Sequence, residues 1–255
     1  MLKRVARELL IVLSACLAFN TSYSQKQEDK FFFFDSKWKP LPFEKASILL
    51  RLRKTNDSSY NLLTYVMNGP RVSHETYIDE KATIRHGKCI YYRANGLRDS
   101  AGVFVRGVIN GEWTYWNGDG KLIRKKTFEN GALLSDSVYK EDSDMPPPKL
   151  EMVSVEVESS FPGGPDGWMR FLNMNFKYPQ SAVNKGIHGT VEVLFIIDKD
   201  GAILEPEIVK SVEYSLDEEL LRILQISPKW VPARIGGNPV KSYKRQPLTY
   251  RLSPH

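Results

Sequence analysis

The sequence predicts a two-part chain: an all-β module of repeated hairpins followed by an α+β domain with a three-stranded antiparallel sheet and helices. Two observations carry this. Between residues 87 and 131, glycines and aromatics recur at an offset of 24, the mark of a repeated β-unit. Between Phe161 and Leu252, strict alternation gives way once to helical spacing and then returns. At 255 residues the chain is long enough for two modest cores.

The N-terminus reads as a targeting segment, 1–24. Lys3, Arg4 and Arg7 precede an apolar run, Leu9 to Phe19. That run is short of the roughly 20 residues a membrane-spanning helix needs, so a cleaved secretory signal is expected. Two processing routes are open. Ser22-Tyr23-Ser24 offers a small-x-small cleavage site, the favoured route, which leaves the mature chain in the periplasm. Leu13-Ser14-Ala15-Cys16 fits a lipobox, which would make an outer-membrane lipoprotein lipidated at Cys16. The second cysteine, Cys89, lies in an alternating segment and is expected to be a small buried hydrophobe.

Residues 25–140 form the repeat module. Gly87-Lys-Cys-Ile-Tyr91-Tyr92-Arg-Ala-Asn-Gly96 aligns with Gly111-Glu-Trp-Thr-Tyr115-Trp116-Asn-Gly-Asp-Gly120, and the phase carries on from Phe104 to Phe128 and from Gly107 to Gly131. Turn glycines and strand aromatics in phase mean stacked hairpins that bury their rings against one another. An earlier unit with Tyr65, Asn68-Gly69 and Tyr77 is expected, separated by an insertion. The rings Tyr92, Trp113 and Trp116 could stack on a glycan, but a thin β-array needs such rings for its own core. The pattern resembles the MORN-like repeats of YwqK-type proteins, and FFFFDSKWKP at 31–40 resembles the lead-in such repeats carry in Bacteroidetes envelope proteins. Residues 141–150, with three consecutive prolines, are the linker, expected to be a short extended spacer.

Residues 151–255 form the second domain. Gly189 to Asp198 alternates, with Val191, Val193, Phe195 and Ile197 on one face. Leu194 and Ile196 make the other face partly apolar, as in a strand covered on both sides. Asp198-Lys199-Asp200-Gly201 is a turn into a second strand, Ala202 to Ser211. A helix follows. Ser215 and Glu218 have the spacing of a capping box, Leu216, Leu220, Ile223 and Leu224 share a face, and Pro228 stops it. Tyr243 to Leu252 is the third strand, with Leu248, Tyr250 and Leu252 inward. Trp168, Phe171, Leu172 and Trp230 read as core, and Pro179 as the first turn of a helix ended by Gly186.

The run YPQSAVNKGIHGTVEVLFIIDKDG, then the Leu-Asp-Glu-Glu helix, PKWVPA and GGNPVK, resembles the C-terminal domain of TonB proteins over roughly the last hundred residues. The preceding FPGG is typical of Bacteroidetes-type versions. Where the family has Gly after the Pro of its Trp-x-Pro-Gly turn, this chain has Ala233. The resemblance implies recognition of an extended peptide of a TonB-dependent outer-membrane transporter. The peptide would add as a strand along the last strand, with Tyr243, Arg245, Pro247, Thr249 and Arg251 as the peptide-binding residues. Pro247 independently suggests an edge, since a proline in a strand is confined mainly to edges or bulges.

The resemblance also implies a place in TonB-dependent transmembrane transport. An energy transducer needs a retained inner-membrane helix that meets motor proteins, and a long reach. The short apolar run and brief linker make direct energy transduction doubtful, and an uncleaved, inner-membrane-anchored chain would restore it. The alternative is a non-catalytic periplasmic adaptor, a homodimer pairing the same edge with itself, or a scaffold using its repeats for protein or glycan contacts.

No enzyme is expected. His74, His86, His188 and His255 are dispersed, so neither a metal nor a cofactor site is read from them. Gly163-Gly164 and Gly236-Gly237 lack nucleotide-binding contexts and read as turns. Asp198 and Asp200 lack the remaining ligands of a calcium loop. The formal charge of +6 is not evenly spread but lies before residue 151, and a mildly basic midsection with abundant Glu and Asp argues for a solvated surface rather than a nucleic-acid groove.

Overall fold

The computed structural model describes residues 29–56, 58–139 and 156–252. Residues 1–24, read from the sequence as a targeting segment with Cys16, and residues 141–150, read as a linker, lie outside the described residues. The chain divides into two compact units, Met1–Glu141 and Asp142–His255.

The first unit is one nine-stranded antiparallel sheet in sequential order. Its strands are β1 (Lys30–Phe34), β2 (Ile48–Asn56), β3 (Ser59–Val66), β4 (Arg71–Tyr77), β5 (Arg85–Tyr92), β6 (Arg98–Val105), β7 (Val108–Trp116), β8 (Leu122–Glu129) and β9 (Ala132–Val138). The expected hairpins are there, joined edge to edge into a single meander. The repeat is written into the pairing, for Gly87 faces Phe104 and Gly111 faces Phe128. Its turns repeat as well. Gly96 donates to the Arg93 carbonyl at 2.9 Å and Gly120 to the Asn117 carbonyl at 3.1 Å, both with φ of +81°, where only glycine sits without strain. In the earlier hairpin, Gly69 donates to Val66 at 3.0 Å, and Asn68 takes the left-handed position instead. The insertion after it is tied down by Asp79, which accepts from the Thr83 and Ile84 amides and the Thr83 hydroxyl.

The rings serve the sheet. Trp113 is buried and lies on Gly102, where a Cβ would come within 2.2 Å of the indole. Tyr92 is buried with Ile90 and Ala101 against half-buried Trp116, which Arg98 covers at 4.3 Å. A second cluster joins Phe32, Phe34, Leu50, Leu52, Leu62 and Tyr77. Cys89 is fully buried, and burial pushes its thiol up to about 12. Glu75, also buried, accepts from Arg85 Nε at 2.6 Å, the Tyr91 hydroxyl at 2.8 Å and the Ser73 hydroxyl at 3.3 Å.

His74 has its Nε2 sealed from solvent without a hydrogen-bond partner. Burial first, then the charges of Arg71, Lys88 and Arg51, hold its pKa down to about 3 from 6.5. Below pH 6.5 the unfolded chain gains a proton here that the folded sheet refuses until about pH 3. Stability therefore falls as pH drops through that window. Replacing His74 by leucine is expected to shrink the loss of stability between pH 7 and pH 4.5, measured by urea unfolding. An unchanged loss would assign it to other groups.

The second unit has a three-stranded antiparallel sheet. β10 (Gly189–Ile197) is central, between β11 (Ile203–Lys210) and β14 (Ser242–Tyr250). Helices α1 (Gly164–Asn175), α2 (Gln180–Asn184) and α3 (Tyr214–Gln225) accompany it. A small hairpin, β12 (Ala233–Ile235) with β13 (Asn238–Val240), bridges back through Arg234 to Val157, and Val231 just before it bridges to Ser160. Val191, Val193, Phe195 and Ile197 are buried with Leu216, Leu220, Ile223 and Leu224 of α3, and with Trp168, Leu172 and Trp230.

Three details differ from the sequence reading. The helix cap is Glu213, whose carboxylate accepts from the Ser215 amide at 2.7 Å, so Ser215 lies inside α3 rather than at its cap. Leu194 and Ile196 are half-buried, and the helices pack on the opposite face only. The third strand ends at Tyr250, leaving Leu252 half-buried beyond it. In the FPGG turn, Gly163 and Gly164 both have positive φ, which brings Phe161 against Trp168, Phe171 and Trp230. Ala233 opens β12 with its side chain fully buried and no positive φ, so that position needs no glycine here.

Candidate peptide-binding edge

β14 is held on one side by β10 in a register that runs from Gly189 opposite Tyr250 to Ile197 opposite Ser242 without a shift. Two inward residues anchor it. Leu248 is buried, and Tyr250 is buried with its hydroxyl donating to the Leu216 carbonyl at 2.7 Å. Burial, then the charges of Glu219 and Asp217, push the Tyr250 phenol above its ordinary range, so it remains a donor. Lys244 adds a bond from Nζ to the Ser159 carbonyl at 3.1 Å.

The residues between these point outward. Tyr243, Arg245, Pro247 and Thr249 are exposed along one face of β14, and Arg251 continues the row just past its end. All five sequence-predicted site residues are thus brought together. They are not all unengaged. Arg245 is clamped to Glu192 of β10, with Nε at 2.7 Å and Nη2 at 2.6 Å from Oε2. The Thr249 and Thr190 hydroxyls bond at 2.9 Å. Tyr243, about half exposed, offers the largest apolar surface of the row.

The backbone geometry follows from Pro247. A proline inside a strand paired without a bulge is accommodated when its nitrogen faces away from the neighbour. Residues two apart share that orientation. The N–H groups of Tyr243, Arg245 and Thr249 therefore face the side of β14 away from β10, and so do the carbonyls of those residues and of Pro247. Among the described residues no strand pairs with that side.

The other edge differs. β11 is broken by two register shifts against β10, and it carries Glu205 in the left-handed region at φ +51° followed by exposed Pro206. Bulges and prolines of this kind protect an edge against an added strand. The domain therefore has one edge in unbroken register, interrupted on its free side only at Pro247, and one bulged edge.

Sequence reasoning missed the carboxylates that fix the frame around β14. Asp217 is fully buried and accepts from the Ser211 hydroxyl at 2.7 Å. Glu219, buried and paired with Arg222, accepts from the Lys177 amide at 2.8 Å. Their only sequence signal is their place in the first turns of α3. Among the described residues there is no trio of His, Cys, Asp or Glu placed to hold a metal, and no helix long and apolar enough to cross a membrane.

Residues 174–252 match the family model of the Gram-negative bacterial TonB protein C-terminal. This stretch is similar to the TonB C-terminal domain family. The match runs from the end of α1 through β14, so it takes in the whole three-stranded sheet and the candidate edge. Comparison with curated proteins gave no match.

Proposed function

We propose that this chain is a cell-envelope protein whose TonB C-terminal domain binds an extended segment of a TonB-dependent outer-membrane transporter by strand addition along β14. TonB C-terminal domains interact with such transporters in general. The observation that carries the reading here is the contrast between the two sheet edges. β14 presents nine residues paired without a shift, whereas β11 is bulged and proline-broken. Main-chain hydrogen bonds to Tyr243, Arg245 and Thr249 supply affinity. Tyr243 and the aliphatic part of Arg245 sort the side chains of the bound segment. The Arg245–Glu192 pair keeps the arginine flat on the sheet and so favours a ligand with apolar or small residues at the facing positions.

The test is a titration with synthetic segments from the periplasmic face of candidate transporters, each with proline placed at successive positions. Strand addition uses the N–H of every second ligand residue. Binding should therefore fail with a period of two along the ligand. Failure with a period of three to four would indicate a helix seated on a groove and overturn the proposal.

A further inference from the structure

Helix α1 lies almost wholly before the stretch that matches the TonB C-terminal family, which begins at residue 174. Resting on the strand-addition reading above, we propose that α1 roofs the ligand groove along β14. Its Met169 selects segments that carry apolar side chains at two alternate positions facing the helix.

The two ends of α1 fix where it lies. Near its start, Trp168 packs on Trp230, and Trp230 on Phe195, which stands opposite Lys244 of β14. Lys244 itself reaches the Ser159 carbonyl, just ahead of the turn into α1, at 3.1 Å. At the other end, the Phe176 and Tyr250 ring centres are 5.4 Å apart. α1 therefore runs in the direction of β14. The lengths agree, for its twelve residues rise ~18 Å, and the strand from Lys244 to Tyr250 covers ~20 Å. α3 lies to the other side. Its Asp217 bonds Ser211, just past β11, whereas its Glu219 and Arg222 reach across to the Lys177 amide and the Asn175 carbonyl.

Handedness then decides which flank overhangs the free edge. Trp168 and Leu172 point into the core. Each step along a right-handed helix turns about 100°, and in a helix running with β14 the step after a core residue turns away from α3. That flank holds Pro165, Met169 and Phe176, with Leu172 below them, at the i, i+4, i+7, i+11 spacing of a single apolar row. Pro165 is exposed and Met169 is 54% exposed, although they continue the row of buried Leu172 and half-buried Phe176. On the opposite flank, Phe171 packs against Phe161.

A strand added to β14 lies one strand spacing beyond it, ~4.8 Å, and alternate side chains point to the helix side. They stand beside Lys244, Gln246 and Leu248. Lys244 with Ser159 closes one end of the groove, and the rings of Phe176, Tyr178 and Tyr250 close the other. Met169, midway along α1, comes level with Gln246 and Leu248, so the groove takes two side chains, two residues apart. An apolar side chain there covers Met169 from water, and a charged one is desolvated without a partner. An unbranched methionine adapts to several shapes, so the groove reads apolar character rather than one residue type. Tyr243 and Arg245 face the other side of the sheet, and α1 thus adds a second selection to theirs.

The test is calorimetric titration of the full chain with a synthetic segment from the periplasmic face of a transporter, resynthesised with aspartate at successive positions. The unaltered chain should lose affinity about tenfold or more at two positions, two residues apart. Met169→Lys should restore most of that loss at one or both positions, and Met169→Glu should deepen it. Met174→Lys, exposed on the other flank, should change neither. Identical responses of Met169→Lys and Met169→Glu at every position overturn the role of α1. Thr249→Pro separates that failure from a failure of strand addition. If it abolishes binding while the two Met169 variants behave alike, the edge reading stands and the roof does not. Binding that survives Thr249→Pro, or no binding of any segment, overturns both. A dimer of the unaltered chain that Met169→Lys removes, with no segment present, would give the groove to a second copy and overturn the proposal.

Discussion

Replacing Gly201 by alanine is expected to unfold the second unit at temperatures where the unaltered protein is stable. Gly201 ends the turn between β10 and β11, donating to the Asp198 carbonyl at 2.9 Å. Its carbonyl accepts from the Trp230 amide at 2.9 Å, which ties that turn to the segment carrying the central indole. Two costs add. The residue has φ of +85°, which an L side chain adopts at a penalty of roughly 1–2 kcal/mol. A Cβ would also lie 2.1 Å from the Trp230 carbonyl oxygen, a backbone atom that cannot rotate away. Relief of that contact moves Trp230, which packs on Phe161, Trp168 and Phe195. The total should exceed about 3 kcal/mol, a large share of a domain's usual 5–15 kcal/mol. Gly186→Ala is the control, because φ there is +65° and a Cβ would meet nothing within 4 Å. It should cost only about 1 kcal/mol. Urea unfolding followed by amide exchange in residues 156–252 reads both variants, and equal losses would mean the contact with Trp230 is not what requires glycine.

Thr249→Pro should weaken binding of a transporter segment at least tenfold, about 1.4 kcal/mol, while the domain stays folded. The Thr249 N–H shares its orientation with the Pro247 nitrogen, so the substitution removes no backbone bond to β10. It removes a donor from the free side and places a pyrrolidine ring in the path of the incoming strand. The hydroxyl contact with Thr190 is lost as well, which Thr249→Val separates from the backbone effect, since valine keeps the N–H. Calorimetric titration of the three proteins should give normal binding for the valine variant and strongly reduced binding for the proline variant. Equal affinities for all three would mean that the backbone of β14 is not the ligand-binding element.

Much of the architecture was legible because it rests on periods. Val191, Val193, Phe195 and Ile197 announce a buried face by strict alternation, and the glycines at 96 and 120 announce a repeat because each occupies a left-handed turn. Features that depend on which of several similar groups wins were not legible. Ser215 and Glu218 have the spacing of a capping box, yet Glu213 reaches the Ser215 amide first. Leu194 and Ile196 read as a covered face, although the helices pack on the opposite side. Pro247 pointed to an edge strand, and β14 is at an edge of the three-stranded sheet. The bulge that blunts the opposite edge was hidden, because Glu205 has no intrinsic preference for the positive φ it takes within the shifted register. The outward row from Tyr243 to Arg251 could be counted from the sequence, but its Glu192 partner needed the register of β10 against β14.

The most direct measurement is residue-resolved amide exchange along both edges of the sheet, with and without a bound transporter segment. Strand addition at β14 predicts that the Tyr243, Arg245 and Thr249 amides exchange rapidly in the free protein and slow markedly on binding. Lys244, Gln246, Leu248 and Tyr250, already facing β10, should be protected in both states. Slowing confined to β11, or no change at Tyr243, Arg245 and Thr249 under saturating ligand, would contradict the account.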